Sequence, residues 1–244
     1  MKLLKKADMV ENVSNHVRKT KRKEESDMIC NNFFQDFDQI RNNIVYKLVN
    51  TDRNKELLEY VPHMEFLDLS ILFHCLTEKE KECTGLNLIH NALFIQWDVS
   101  LNQLYEAASK NTQRILGYEI KNMRNVMCEI IKKNPGKYDY GECMAVLESS
   151  IPMYVLSNRS RTEGAACMLY PELIKDFADA LGSSLYIIPS SINELLLVPF
   201  LNDDAGAYIK SSIKEVNDMN MKPEDILSYS LYCYDRDSQK IGIY

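Results

Sequence analysis

Apolar residues recur at the spacing of a helix in five stretches of the chain. Within each stretch they lie three or four residues apart, which places them on one face of a helix. Ser100 and Gln103 have the spacing of a capping box, and Gly117 and Gly182 are placed to end two of the helices. These five predicted helices cover 33–41, 100–116, 123–131, 171–182 and 209–216, and a sixth, shorter helix is predicted over 53–61, ended by Pro62.

Short stretches between these helices have the pattern of strands. The β-branched stretch 44–49 predicts a strand, with a continued helix as the alternative. Residues 65–75 alternate between an apolar and a mixed face, and 86–97 is predicted to return beside them as the second strand of a long hairpin. Further hairpins are predicted over 153–170, 184–199 and 228–244. Helices alternating with hairpins predict an α+β fold, with a mostly antiparallel sheet built from hairpins and with helices packed on it.

Charge is distributed unevenly along the 244 residues. The formal net charge is −6, but residues 1–23 carry eight Lys and Arg against two acidic residues, which leaves −12 for the rest. We therefore predict a basic, flexible leader over 1–26 and a single α+β domain over 27–244. The acidic domain is a poor partner for nucleic acid, and the basic run 18–23 is expected to face water.

The sequence lacks the motifs of several common classes of site. Its seven cysteines are widely spaced and contain no C-x-x-C pair, which argues against a disulfide framework or a zinc ribbon. Neither a glycine-rich phosphate loop nor H-E-x-x-H occurs, so we expect no cofactor and no metal. Without an apolar run of about 20 residues or a signal peptide, we expect no membrane contact and a cytoplasmic location.

Three stretches carry a resemblance to a known family. They are "IVYKLVNTDRNKELLEYVPHMEFLDLSILFHCL", "LYEAASKNTQRILGYEIKNM" and "MYVLSNRSRTEGAACMLYPELIKDFADALGSSLYIIPSSINELLLVP". In this order they resemble DUF5688, an uncharacterised family of clostridial bacteria, from about Phe33 to the C-terminus. The leader departs from the family pattern. The resemblance implies a bacterial, cytoplasmic, globular protein, and it carries over no activity and no catalytic residue.

The charged stretch NRSRTEG (158–164) is the first candidate site. It is predicted as the loop of the 153–170 hairpin, in which Gly164 supplies a positive φ. Arg159, Arg161 and Glu163 are the candidate contacts for a ligand or partner, and the arginines either hold an anion or face water; we expect water. Cys167 is predicted to lie in the following strand as a buried, inert thiol.

A second candidate group comes from the predicted 65–97 hairpin. Asp68, Ser70 and His74 suggest a catalytic triad, but on one strand Asp68 and His74 would lie about 20 Å apart, whereas a triad needs direct hydrogen bonds. The alternative is a polar cluster across the hairpin, formed by Asp68 and Ser70 with His90 or Asn91. The simpler interpretation is a polar sheet face with cross-strand pairs.

Three hypotheses for function follow. The leading one is a non-catalytic cytoplasmic interaction or regulatory module that binds an unknown protein partner or a second copy of itself. The second is an enzyme of unknown class with a pocket on the central sheet, formed by Arg159, Arg161 and Glu163 with Asp68 and His90 behind them. The third is a nucleic-acid-associated factor that uses the basic leader. A deep pocket lined by several of these side chains would favour the enzyme.

Overall fold

The computed structural model describes residues 36–76, 86–149, 151–189 and 191–244. The predicted leader lies outside these residues. The strands are β1 (Ile44–Asn50), β2 (His63–Phe66), β3 (Leu69–Leu76), β4 (Leu86–Leu88), β5 (Glu119–Asn122), β6 (Tyr154–Ser157), β7 (Leu185–Ile188), β8 (Leu195–Pro199), β9 (Tyr232–Asp235) and β10 (Lys240–Ile243). The α-helices are α1 (Phe37–Ile40), α2 (Lys55–Leu58), α3 (Asn91–Trp97), α4 (Leu101–Leu116), α5 (Met123–Lys133), α6 (Tyr140–Ser149), α7 (Leu173–Leu181) and α8 (Asp203–Asn220).

The strands form two antiparallel sheets, which confirms the α+β prediction. In the small sheet, β3 is central and pairs with β1, β2 and β4. The large sheet has the order β10-β9-β7-β8-β6-β5, so β5 and β10 are its edges. The described residues also form four 3₁₀ helices, and the one at Gly164–Leu169 directly follows the charged loop.

Three clusters of buried apolar side chains hold these layers together. The main core combines residues of both sheets with α4, α7 and the Gly164–Leu169 3₁₀ helix. A second cluster lies on the other face of the large sheet, where Ile213 of α8 packs on Tyr186 and Val198. A third lies behind the small sheet, where Leu58 packs on Leu72 of β3. Both faces of β3 are therefore buried.

Helix α4 covers the outer edge of β1 with polar side chains. The Tyr46 N–H donates to Thr112 Oγ1 at 3.0 Å, and Asn111 Nδ2 donates to the Ile44 carbonyl at 3.0 Å. These bonds satisfy strand groups that would otherwise be buried without partners. The helix begins as predicted, since Ser100 and Gln103 form a complete capping box.

Several predicted elements are confirmed. Residues 44–50 form strand β1, the 184–199 and 228–244 hairpins form β7–β8 and β9–β10, and Gly182 ends α7 in the left-handed conformation. Every helix in the described ranges is too short or too polar to span a bilayer. Val216, predicted to face inward on α8, is instead 53% exposed.

The predicted 65–97 hairpin is wrong in two places. The stretch 65–75 is broken by a turn at Leu67 and Asp68, with Leu67 at φ 58°. The second stretch is a strand only over Leu86–Leu88, and Asn91–Trp97 is a helix. The two errors have different physical causes. Short apolar runs fit a buried strand and a buried helix equally well, and no glycine or proline marks the turn.

The predicted 153–170 hairpin is also wrong, because only its first strand exists. Residues 164–169 form a 3₁₀ helix that does not pair with β6, and the Ala165 N–H donates to the Ile192 carbonyl at 3.1 Å. Small residues there (Gly164, Ala165, Ala166) allow the chain to coil tightly in the main core. Helix α6 is absent from the helices predicted from the sequence.

Candidate functional site

The loop 158–163 is shaped by one buried asparagine. Asn158 Nδ2 donates to the Thr162 carbonyl at 2.7 Å, and its Oδ1 accepts from the Ser160 hydroxyl at 2.9 Å. The Asn158 carbonyl accepts from the Arg161 N–H at 3.1 Å. A side chain that bonds to its own loop in this way fixes a tight turn. The loop residues are therefore held in defined positions.

Two residues of this loop have positive φ, and neither is the glycine. Arg161 and Glu163 both have φ 54°, a region that non-glycine residues rarely adopt. The prediction that Gly164 supplies the positive φ is wrong. Gly164 is needed for space, because a Cβ there would lie 2.1 Å from Ser157 Oγ and 2.4 Å from the Asn193 carbonyl oxygen.

Arg161 belongs to a network of four charged side chains on the surface of β5 and α5, here called the charge network. Its guanidinium lies 3.3 Å from Glu119 Oε2 and 3.4 Å from Glu129 Oε2. Lys121 Nζ lies 3.0 Å from Glu119 and 2.7 Å from Glu129. The hydrogen bond from Lys121 lowers the pKa of both carboxyl groups. Two cations and two carboxylates thus balance each other, and Arg161 is already neutralised by protein groups.

Glu163 points to a different partner. Its carboxylate lies 3.1 Å from Lys47 Nζ of β1, and the two side chains are only 20% and 25% exposed. The Glu163 N–H donates to Asn193 Oδ1 at 3.0 Å. Glu163 therefore connects the loop that follows β6 of the large sheet to β1 of the small sheet.

His74 lies close to this ion pair, on the strand next to Lys47. It is opposite Val45 in the β1–β3 register and is 4% exposed. Its Nδ1 has no hydrogen-bond partner among the described residues. Burial, helped by the positive charge of Lys47, lowers the pKa of His74 to about 4. His74 is therefore neutral at pH 7.

Arg159 lies at the C-terminal end of α4. Its N–H donates to the Leu116 carbonyl at 3.2 Å. Its exposed side chain runs over Gly117, where a Cβ would lie 2.8 Å from Nε. A cation at this position interacts favourably with the helix dipole. The guanidinium makes no ion pair within the ranges that the structure describes.

Asp68 joins the two sheets through three hydroxyl groups. It lies in the β2–β3 turn, and its carboxylate accepts from Ser228 Oγ at 2.5 Å, from Ser230 Oγ at 3.1 Å and from the hydroxyl of Tyr232 on β9. Burial, and then the hydrogen bond to Asp68, raises the pKa of Tyr232, which keeps this phenol protonated as a donor.

His90 does not lie on a strand beside Asp68, as predicted. It is exposed and directly precedes α3, where its carbonyl accepts from Leu93 and Phe94. No hydrogen bond among the described residues joins it to Asp68. The five candidate residues thus contact different parts of the molecule.

Two cavities border β5, and of the five candidate residues Arg161 lines one of them. Arg161 lines a space of about 20 Å³, which is the size of one water molecule. A larger groove of about 590 Å³ lies beside α5 and α6. It is lined by Asn122, Met123, Arg124, Asn125, Glu148, Ile151, Pro152 and Met153. Across the described ranges, no three His, Cys, Asp or Glu side chains are grouped so that they could hold a metal.

Cys167 is buried, but its predicted strand is wrong. It lies on the Gly164–Leu169 3₁₀ helix with no exposed surface, and burial raises its pKa to about 12. A thiol in this state is a poor nucleophile.

Sequence reasoning missed most partners of the charged residues. Glu119 and Lys121 are two residues apart in the sequence, so on a strand their side chains lie on the same face. Lys47, Glu129 and Ser228 reach the candidate residues only through the tertiary fold, and no local pattern identifies them.

The chain belongs to DUF5688, a family of unknown function whose model matches residues 2–236. The match begins at residue 2, well before Phe33, where the sequence resemblance was expected to start. Neither the curated proteins nor the solved structures contain a match to this chain.

Proposed function

We propose that this member of DUF5688 is a non-catalytic protein-interaction module of a bacterial cytoplasm. The observation that carries the proposal is the engagement of the candidate residues. Arg161 contacts the carboxylates of the charge network, and Glu163 contacts Lys47. Asp68 accepts hydrogen bonds from three hydroxyl groups. A catalytic constellation needs its groups to converge on one reacting atom, and these three face separate places.

The surface best suited to a partner is the outer edge of β5. Just beyond its end, the Met123 N–H donates to the Met153 carbonyl at 2.9 Å. Backbone groups of successive strand residues point to opposite sides of the strand. The N–H and C=O groups of Glu119 and Lys121 therefore also face β6, and those of Ile120 face outward. No strand among the described residues pairs with this outer side. An unpaired edge is a template for an added strand.

A photocrosslinking experiment tests this function. A photoreactive phenylalanine analogue is placed at Tyr118, which directly precedes β5 and is 44% exposed, in the full chain, and the cells are irradiated. We expect one discrete covalent adduct with a protein. The matched control places the analogue at Ile243, which is 53% exposed on the opposite edge strand β10, and we expect no discrete adduct there.

Two results would contradict the module. One is the absence of any adduct at position 118 at irradiation times that label a known dimer. The other is turnover of an added substrate that Arg161→Gln or Asp68→Asn abolishes while the protein stays folded by circular dichroism.

A further inference from the structure

We propose that the partner of β5 is a second copy of this chain, joined edge to edge in an antiparallel pair about a two-fold axis beside Ile120. This rests on the proposed function, because it names the occupant of the same edge. The pairing would join two large sheets into one continuous sheet. Such an interface is self-complementary, as a two-fold dimer requires.

The direction of the backbone groups determines the register. The N–H and C=O groups of Ile120 face outward. A two-fold axis beside this residue therefore pairs Ile120 with Ile120 of the second copy through both groups. Tyr118 then lies opposite Asn122. Glu119 lies opposite Lys121, and Lys121 opposite Glu119, in the pair whose side chains approach most closely.

The charges of β5 match this register. Opposite charges directly across two strands stabilise the pair, and like charges destabilise it. In one copy, Lys121 and Glu119 already lie 3.0 Å apart on the same face. The second copy would continue the alternation of positive and negative groups across the axis. The charge network contains two cations and two carboxylates, so no net charge accumulates at the contact.

The other edge of the large sheet lacks this complementarity. The Tyr244 N–H donates to the Leu231 carbonyl at 2.8 Å. Because backbone groups alternate in direction along a strand, the N–H and C=O groups of Ile241 on β10 face outward. An axis beside Ile241 would place Lys240 opposite Gly242. Because glycine carries no charge, this register leaves each Lys240 without an opposite charge across the axis. The two edges of one sheet therefore differ, and β5 is the one suited to self-pairing.

Tyr118 adds apolar surface to the contact. It is 44% exposed and packs with its ring edge on Tyr170, at 6.5 Å between the ring centres. A half-exposed tyrosine held by a second ring is pre-ordered for binding. Because β5 has only four residues, we expect a reversible dimer rather than an obligate one.

Charge reversal with mixing is the decisive experiment. Sedimentation velocity on the full chain is expected to show a monomer–dimer equilibrium. Glu119→Lys places lysines opposite each other, and Lys121→Glu places glutamates opposite each other, so each variant alone should dimerise at least about tenfold more weakly. An equimolar mixture of the two should regain dimer, because each pair across the axis is again opposite in charge.

The mixture separates the contact from damage to the fold. Both reversals also disturb the charge network within one chain, and mixing cannot repair that. Recovery in the mixture therefore requires pairing between chains. Equal weakness of the mixture and the single variants would overturn the two-fold register.

A proline pair provides a second test at the backbone. Ile120→Pro removes an outward N–H without removing a bond to β6, a position where an edge strand tolerates proline. It should abolish the dimer, whereas the matched Ile241→Pro on β10 should leave it unchanged. A monomer at all concentrations, or a dimer insensitive to Ile120→Pro, would overturn the proposal.

The two proposals can fail separately. A crosslink at position 118 to another protein, with a monomeric purified chain, would overturn the second copy and support the interaction module. A crosslinked species with twice the mass of the chain would support both.

Discussion

Arg161 and Glu163 are two residues apart on one loop and have the same φ of 54°, yet their side chains lie in different environments. Arg161 is 45% exposed and meets two carboxylates that are about equally exposed. Glu163 is 20% exposed and meets a lysine of the other sheet. One side of the loop faces the outside, and the other side lies between the sheets.

The difference in burial determines what each ion pair can do. Exposed pairs are screened by water and contribute about 0–1 kcal/mol to stability, so the charge network is free to serve recognition. Removing one partner of a shielded pair leaves the other charge without compensation. We therefore assign the inner side of the loop to the fold and the outer side to binding.

The largest effect should come from the residue that positions both sides. Gly164→Ala would force a Cβ into Ser157 Oγ and the Asn193 carbonyl, and we expect a loss of about 3 kcal/mol in the free energy of unfolding, measured by urea denaturation. Gly242→Ala is the matched control, because a Cβ there meets nothing within 4 Å, and it should change stability by less than about 0.5 kcal/mol. An equal effect of both would show that the loop is not tightly packed.

Acid should weaken the inner side through His74. Its pKa is about 4 in the folded chain, against 6.5 for the free side chain, so between these values the unfolded chain binds a proton that the folded chain does not. Stability from this group is therefore complete above pH 6.5 and is lost as the pH falls from 6.5 towards 4. Linkage gives a loss on the order of 3 kcal/mol across the window.

A neutral substitution isolates this contribution. We expect His74→Gln to flatten the dependence of the urea midpoint on pH between 4.5 and 7, while the exposed His90→Gln keeps the wild-type slope. The same slope in His74→Gln as in the wild type would assign the acid sensitivity to carboxyl groups elsewhere.

The sequence predicted those parts of the fold that local patterns determine. The capping box at Ser100 and the hairpins over 184–199 and 228–244 depend on neighbouring residues, so they could be found. The turn at Leu67 could not, because leucine rarely adopts a positive φ and contacts with the other sheet hold it there. Asp68, in the same turn, accepts hydrogen bonds from the hydroxyl groups of residues about 160 positions away in the sequence.

The candidate loop shows the same limit. The charged residues of the loop can be read from the sequence, and so can the two-residue spacing of Glu119 and Lys121. The pairing that brings them together, Glu119 opposite Ser157 in the β5–β6 register, joins distant parts of the chain. Glu163 could be assigned to the interior only once Lys47 of the small sheet was placed beside it.

The smallest effects should separate the two sides of the loop directly. Glu163→Gln leaves Lys47 without its carboxylate in a shielded position, and we expect a loss of about 1–2 kcal/mol that changes little with salt. Arg161→Gln removes an exposed cation, and we expect a loss below about 0.5 kcal/mol that disappears at high ionic strength. Urea denaturation of both variants at low and high salt measures the contrast. Because the two positions share a loop and a backbone conformation, equal losses with equal salt dependence would mean that burial does not distinguish them, and the outer network would then be as structural as the inner pair.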